Sequence, residues 1–434
     1  MNHAPRNTPA SVEPALSCES GAGGNAAPGG AMESGGAAVG MAAPAAGVAS
    51  SAAQVAETEL AAAVEVLRAG GVIGLPTETV YGLAANAADQ AAVASIYRIK
   101  GRPADHPLIV HVADVAAARD WAEWSPEAQR LADCFWPGPL SLVLKRRAEA
   151  PAWACGGQAS IAIRIPSHPV FQRLMRALRP HGIIGLAAPS ANPFGRISPS
   201  RAAHVRAGLG SAVPVVLDGG PSRVGLESTI VDLSRGEPVL LRPGHVTLAG
   251  LAQCLGRPVR LDDMLARSEH AARRAERGRD TGEGSGASAS KGQRMNAGAG
   301  TGADVSRRVD AATAPGADGA AGPDTDAPRV PGALPSHYAP DAPLRLMDWD
   351  ALAARLDLAR ARGQRVAVWS ARMPAPQPGL FWRRRPSDAD GAGRDLYDAL
   401  HQLDALPVAC ILIERPPADA AWRALTDRLE RAAA

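Results

Sequence analysis

The chain has 434 residues, 46% of them hydrophobic but only 4% aromatic, with a formal net charge of +3. That length allows two or three domains with cores of Ala, Val, Leu and Ile rather than rings, and the near-neutral charge argues against a dedicated nucleic-acid binder, which carries a strong basic excess. No run approaches the ~18 apolar residues of a membrane span, and the N-terminus lacks the basic flank and apolar core of a secretory signal, so a cytoplasmic protein with no membrane partner is expected.

Residues 1–51 are Ala, Gly, Pro and Ser with almost no large apolar side chains. Such a tail cannot bury enough surface to offset its ordering entropy and is expected to be disordered. A first ordered domain is expected over 52–262. Glu57 to Ala69 places Leu60, Val64 and Leu67 at helical spacing and stops at Gly70-Gly71. Val72 to Leu75 reads as a short strand and Gln90 to Ile99 as a helix, with a second helix over Ser125 to Phe135. Strands are predicted at Leu140 to Leu144, Ser160 to Ile165, Ile183 to Ala188, Val213 to Leu217, Thr229 to Leu233 and Val239 to Leu241. Strands outnumber helices, so a mixed sheet with flanking helices is expected. Residues 263–330 have the composition of a disordered linker. Beyond 331–343, strands at Leu344 to Leu346, Arg365 to Trp369 and Val408 to Glu414 alternate with helices at Ala351 to Ala361, Ala392 to Ala405 and Ala420 to Ala432. That alternation predicts a small parallel α/β domain over 344–434.

Five cysteines (Cys18, Cys134, Cys155, Cys254, Cys410) are odd in number and never form CxxC. Buried or free thiols are expected, rather than a disulfide framework or a zinc site. The common nucleotide and hydrolase signatures, GxxxxGK[ST], GxGxxG, HExxH and GxSxG, are missing as well.

Three segments end apolar strands or helices in polar groups. Thr77, Glu78 and Thr79 follow Pro76; they suit a small polar ligand, or a β-turn whose hydroxyls bond their own backbone. Lys100 and Arg102 flank Gly101 at a helix end and precede Asp105-His106-Pro107. They complement the helix dipole, or serve a triphosphate as point charge and planar fork. Ser190 and Asn192 share a side if the chain stays extended; they hold a phosphate or ribose oxygen, or cap a turn. With no metal or nucleophile constellation in sight, positioning and charge stabilisation are the chemistry to expect.

In order, PTETVYGL, KGRP with DHPLIVHV, WPGPLSLVL, SIAIRIPSHP, AAPSAN, DGG, ESTIVD and LLRPG, then SHYAPDAPL and LTDRLERAA, resemble the YrdC-like threonylcarbamoyl-AMP synthases in their long two-domain form. The resemblance covers about Glu57 to Arg260 and Pro331 to Ala434. It implies a YrdC-like twisted mixed sheet followed by a Rossmann-like domain. The implied activity joins L-threonine, bicarbonate and ATP, with Mg²⁺, into threonylcarbamoyl-adenylate and pyrophosphate. The product would pass to tRNA threonylcarbamoyl-transferase machinery for modification of adenosine 37, with weak or no direct tRNA binding. Carried over by position, Lys100, Arg102, Ser190 and Asn192 resemble the nucleotide signature, with Ser160, Ser198 and Arg242 as further ATP contacts. His106 stands where the family usually has Asn, and an imidazole also donates to phosphate. Thr77, Thr79, His111, Arg164, Ala188 and Ser228 resemble the threonine side, Arg164 pairing the substrate carboxylate. Tyr338 lies in the segment that folds over the active site in the long form, or anchors the second domain. The threonine amine would attack the bicarbonate carbon, and the resulting carbamate the α-phosphorus. No acid, base or nucleophile and no protein metal ligand is assigned. Two rivals stand: a non-catalytic RNA-binding module of the same fold, and a carbamoyl phosphate-using relative, which would carry zinc-finger and acylphosphatase segments.

Overall fold

The computed structural model describes residues 55–263, 265–266, 327–332, 334 and 336–434. The tail expected over 1–51, with Cys18, and the linker between 267 and 326 lie outside the described residues.

The first helix, α1 (Glu57–Arg68), buries Leu60, Ala63, Val64 and Leu67, the i, i+3, i+4, i+7 stripe of a helix on a sheet. Ten strands then form one mixed sheet: β1 (Ile73–Leu75), β2 (Gly82–Asn86), β3 (Ile109–Val112), β4 (Leu140–Lys145), β5 (Ser160–Arg164), β6 (Gly185–Ala187), β7 (Val215–Val216), β8 (Thr229–Asp232), β9 (Val239–Arg242) and β10 (Arg260–Leu261). Their order is β10-β9-β8-β4-β5-β3-β6-β2-β1-β7. The helices between them include α2 (Gln90–Lys100), α3 (Val115–Trp121), α4 (Pro126–Phe135), α5 (Pro169–Leu178), α6 (Ala202–Leu209) and α7 (Leu248–Leu255).

Side-chain alternation sorts this sheet into two faces. Val110, Val112, Leu140, Leu142, Leu144, Ile161, Ile163, Val231 and Leu240 enter one core with α2, α3 and α4. The alternate positions Ile109, Val143, Ala162, Ile230 and Leu241 form a smaller apolar patch on the other face. On that second face the register sets Ser141 beside Arg164 and Arg164 beside His111. Polar groups thus form a row across three central strands, each flanked along its own strand by an aliphatic residue.

The C-terminal sheet is parallel, in the order β11-β14-β12-β13. Its strands are β11 (Leu344–Met347), β12 (Val366–Ser370), β13 (Leu380–Arg384) and β14 (Cys410–Glu414), with helices α8 (Trp349–Ala361), α9 (Ala389–Asp404) and α10 (Arg423–Ala432). The fold is the mixed α/β sheet plus parallel domain that the pattern predicts, with strands β2, β3 and β10 added in the first sheet and β13 in the second. β13 escapes the pattern because LFWRR is half exposed and ends in arginines, as an edge strand does. It also follows β12 without a helix, across a Pro-rich turn.

The thiol expectation fails at two positions. Cys134 of α4 and Cys254 of α7 form a disulfide across 120 residues of chain, while Cys155 and Cys410 are free and buried. An odd count without CxxC excludes a framework but not one bridge between helices that only the fold brings together.

The two domains meet closely at Gly225 (φ +76°), where an added Cβ would lie 2.5 Å from Arg394 Cα and 2.7 Å from the Gly393 carbonyl oxygen of α9. Gly225→Ala is therefore expected to cost about 1–3 kcal/mol, combining left-handed strain with overpacking. Urea unfolding checks this; an unchanged midpoint would mean that α9 is not seated so tightly.

Candidate active site

The patterned second face carries a small pocket lined by Thr77, Thr79, Arg102, His111, Arg164, Ala188, Ser190, Ser228, Arg242 and Tyr338, among others. Ten of the fifteen residues anticipated for ATP or threonine thus converge, from segments spread over most of the ordered chain.

On the threonine side, the β1–β2 turn is held by Thr77. Its hydroxyl donates to the Val80 carbonyl (2.6 Å) and accepts from the Thr79 and Val80 amides (3.2 and 3.3 Å). The turn reading of that hydroxyl is correct, and the turn also faces the pocket. Tyr81 braces it from behind, donating to the Gly220 carbonyl (2.6 Å) and accepting from the Gly219 amide (3.1 Å) of the DGG segment. Thr79 Oγ1 accepts from Arg164 Nη1 at 2.8 Å, and Arg164 Nε donates to the Gly138 carbonyl at 3.1 Å. Arg164 Nη2 lies 2.7 Å from Glu78 Oε1, with both side chains buried. His111 bonds the Ile109 carbonyl through Nδ1 (3.1 Å). Burial, then the adjacent Arg164, pushes its pKa down to about 3, so it is a neutral imidazole at pH 7. Ser228 Oγ lies 2.7 Å from Ser141 Oγ, and Ala188 packs against Gly82.

The nucleotide-side residues divide. Lys100, the last residue of α2, is buried and donates to the Ser190 and Asn192 carbonyls, each at 2.5 Å. Burial and then Arg102 hold its pKa well below the usual lysine range. Arg102 Nη2 donates to the Pro107 carbonyl (2.8 Å), and burial pulls its pKa down to about 10. Arg242 clamps Ser228 through Nε (carbonyl, 3.0 Å) and Nη2 (hydroxyl, 3.1 Å), and donates from Nη1 to the Pro331 carbonyl at 2.8 Å.

Five anticipated residues do not line the pocket: Lys100 behind the Ser190–Asn192 loop, and His106, Ser160, Asn192 and Ser198. His106 is half-buried, its ring edge-on to Phe194 at 5.5 Å. Ser160 starts β5 opposite Lys145. Asn192 Nδ2 donates to the Pro193 and Arg196 carbonyls (2.7 and 2.9 Å), closing its own turn. The chain bends there, the Asn192 amide reaching the Ser190 carbonyl at 3.0 Å. The extended geometry that would put Ser190 and Asn192 side by side therefore does not form. Ser198 donates to Glu227 at 2.7 Å.

Tyr338 takes a left-handed backbone (φ +65°), unusual for an aromatic residue, and is 1% exposed. Such a conformation costs of order 1–3 kcal/mol and persists where its surroundings over-determine it. Gly332 makes room for it, since a Cβ there would lie 2.4 Å from Tyr338 Oη. With Pro331, Gly332, His337 and Tyr338 in place the pocket keeps about 50 Å³, far below the roughly 300–1,000 Å³ of ligand sites. A larger open groove of about 520 Å³ lies between residues 243–248 and the C-terminal domain, but it lacks converging buried cations.

Glu78, Glu227 and His337 were not anticipated as site residues. All three adjoin anticipated residues in the quoted motifs, Glu78 between the threonines, Glu227 before Ser228 and His337 before Tyr338, but a side chain's partners cannot be read from its neighbours.

Residues 65–244 match the Sua5, YciO and YrdC family, described as Telomere recombination, and residues 303–434 match the Threonylcarbamoyl-AMP synthase, C-terminal domain. The threonylcarbamoyl-AMP synthase of Bacillus subtilis is 31% identical over 386 residues, 87% of this chain and 93% of that protein. The chain belongs to the threonylcarbamoyl-AMP synthase family. It is therefore an enzyme, in the two-domain form. The Pyrococcus abyssi synthase is 43% identical over 202 residues, 46% of this chain and 58% of that protein. A P. abyssi Sua5 structure complexed with L-threonine superposes with a TM-score of 0.68 at 29% identity, covering 88% of this chain and 96% of that one.

Proposed function

We propose that this synthase joins L-threonine, bicarbonate and ATP into threonylcarbamoyl-AMP, releasing pyrophosphate, in the pocket on the second face of the large sheet. The convergence of the buried Arg164, Arg102 and Arg242 on one small pocket supports this reading, since both a carboxylate and a triphosphate need buried cations. Arg164 receives the threonine carboxylate. A neutral imidazole with a pKa near 3 is a weak base, so His111 orients threonine rather than deprotonating it. The threonine nitrogen attacks the bicarbonate carbon, whose hydroxyl oxygen leaves as water with an amine proton; an oxygen of the resulting carbamate attacks the α-phosphorus, and pyrophosphate leaves against Arg102 and Arg242. Lys100 holds the Ser190–Asn192 loop from behind. Arg242 has a guanidinium nitrogen on the Pro331 carbonyl, so displacing the 331–338 segment both opens the space and frees that donor.

Among the described residues that line the pocket, Glu227 is the one carboxylate, and it already accepts three side chains. The chain thus offers no cage for Mg²⁺, and we treat the metal as part of the magnesium nucleotide, held by phosphates and water. The labile mixed anhydride would pass to a transferase acting on tRNA. Among the described residues no helix is long and apolar enough to cross a membrane.

Purified full-length chain is expected to release pyrophosphate only with all three substrates, with a product mass equal to threonylcarbamoyl-AMP. Release without threonine, or salt-dependent RNA binding without turnover, would refute the assignment. Arg102→Ala removes a charge-assisted phosphate contact of about 1.5–3 kcal/mol, so the KM for ATP should rise roughly 10- to 150-fold with the unfolding midpoint nearly unchanged. A lowered midpoint with normal turnover would make Arg102 a helix-end residue only.

A further inference from the structure

One buried carboxylate of the pocket takes two side chains from the C-terminal domain. Glu227 precedes Ser228, and its Oε1 accepts from Ser198 Oγ at 2.7 Å. Tyr397 of α9 donates to Oε2 at 2.8 Å, and Arg428 of α10 donates from Nε to Oε2 at 2.8 Å. Arg428 is 1% exposed, the second largest of the fully buried side chains. Its Nη2 donates to the Pro243 carbonyl (3.0 Å), one residue beyond Arg242, and its guanidinium stands 5.4 Å from the Tyr338 ring. The Tyr397 ring lies 5.8 Å from the same Tyr338.

Arg428 therefore touches three segments around the pocket at once: Glu227 beside Ser228 of the threonine side, the Pro243 carbonyl next to Arg242 of the nucleotide side, and Tyr338. A buried ion pair is weak grounds for stability in itself, because apolar residues of equal volume often do as well. What such a pair does supply is a single geometry: the planar fork fixes its carboxylate and carbonyl partners in place.

We infer that Arg428 and Tyr397 are positioning residues through which the C-terminal domain builds the nucleotide side of the pocket, by holding Glu227, Tyr338 and the Pro243 carbonyl and with them the neighbouring Arg242 guanidinium. The C-terminal domain is then part of the active site's construction, and the first domain alone carries an incomplete nucleotide site. This rests on the synthase reading of the pocket.

The test uses the full chain. Arg428→Met strands Glu227 as a buried unpaired carboxylate and lowers the unfolding midpoint. Adding Glu227→Gln removes that charge, and the double variant is expected to recover most of the midpoint. It should nevertheless keep a KM for ATP raised at least tenfold and a lowered kcat, with the KM for threonine within about threefold of wild type. Tyr397→Phe, which deletes one donor and keeps the ring, should raise the KM for ATP about three- to tenfold. Wild-type ATP kinetics in both Tyr397→Phe and the double variant would overturn the inference. So would equal losses for ATP and threonine that track the midpoint, since a purely structural role predicts that. If the wild-type chain itself shows no threonine-dependent pyrophosphate release, the synthase reading fails instead, and the two failures are told apart.

Discussion

Arg164→Met is expected to cut threonine-dependent turnover sharply and to lower stability by about 3–5 kcal/mol, the cost of breaking a buried pair from one side. Arg164 and Glu78 are 3% and 2% exposed and 2.7 Å apart, so removing the guanidinium leaves a carboxylate buried without a counter-charge. The same guanidinium bonds Thr79 and the Gly138 carbonyl, two segments that face threonine. On the catalytic side, truncating a hydrogen-bonded buried charge pair costs about 2–5 kcal/mol, or roughly 30- to 5,000-fold in kcat/KM for threonine. The two effects separate in Glu78→Gln/Arg164→Met, which removes both charges. Urea unfolding should return toward wild type while turnover stays low. Recovery of turnover together with stability would show that Arg164 serves only the fold.

Stability should fall steeply as the pH drops below about 6.5. His111 and His337 have pKa values pushed down to about 3, and His204 to about 4, burial being the largest cause in each. For these groups the unfolded chain takes up protons near the ordinary value while the folded chain does not. Their contribution is therefore present above pH 6.5 and is lost as the pH falls toward 4 and then 3. His111 alone accounts for up to about 4–5 kcal/mol over that span. Glu227 adds to the same trend lower down. Although burial opposes it, Arg428 and Arg242 hold its pKa at about 2, so its share is present above the ordinary carboxylate value and fades below it. Urea midpoints measured from pH 8 to pH 4 check this, and His111→Gln should flatten the slope between pH 6.5 and 4. A midpoint constant from pH 7 to pH 5 would contradict the neutral, buried state of these rings.

Much of this protein was legible before any coordinates. Strands β4, β5, β8 and β9 follow from apolar runs, and Leu60, Val64 and Leu67 mark α1 by period alone. Local patterning suffices there because each element's own side chains decide which face is buried. The ordered motifs also named ten residues that line one pocket, because a site built on strands and their ends carries its polar residues within short recognisable segments.

Tertiary structure decided the rest, for one physical reason: partners far apart in the chain leave no local mark on each other. Lys100 is indistinguishable in sequence from a helix-end cation, yet it holds two carbonyls about ninety residues on. Asn192 reads as a nucleotide ligand until its turn closes on its own backbone. Cys134 and Cys254 look like isolated thiols until α4 and α7 lie side by side. Glu227 sits in a motif that marks its neighbour Ser228, and only docking of the second domain reveals that Arg428, 201 residues later, fixes it. Composition, pattern and motif order determine what this chain is. Which charges meet across the domain boundary, and so what holds the site together, is determined by packing.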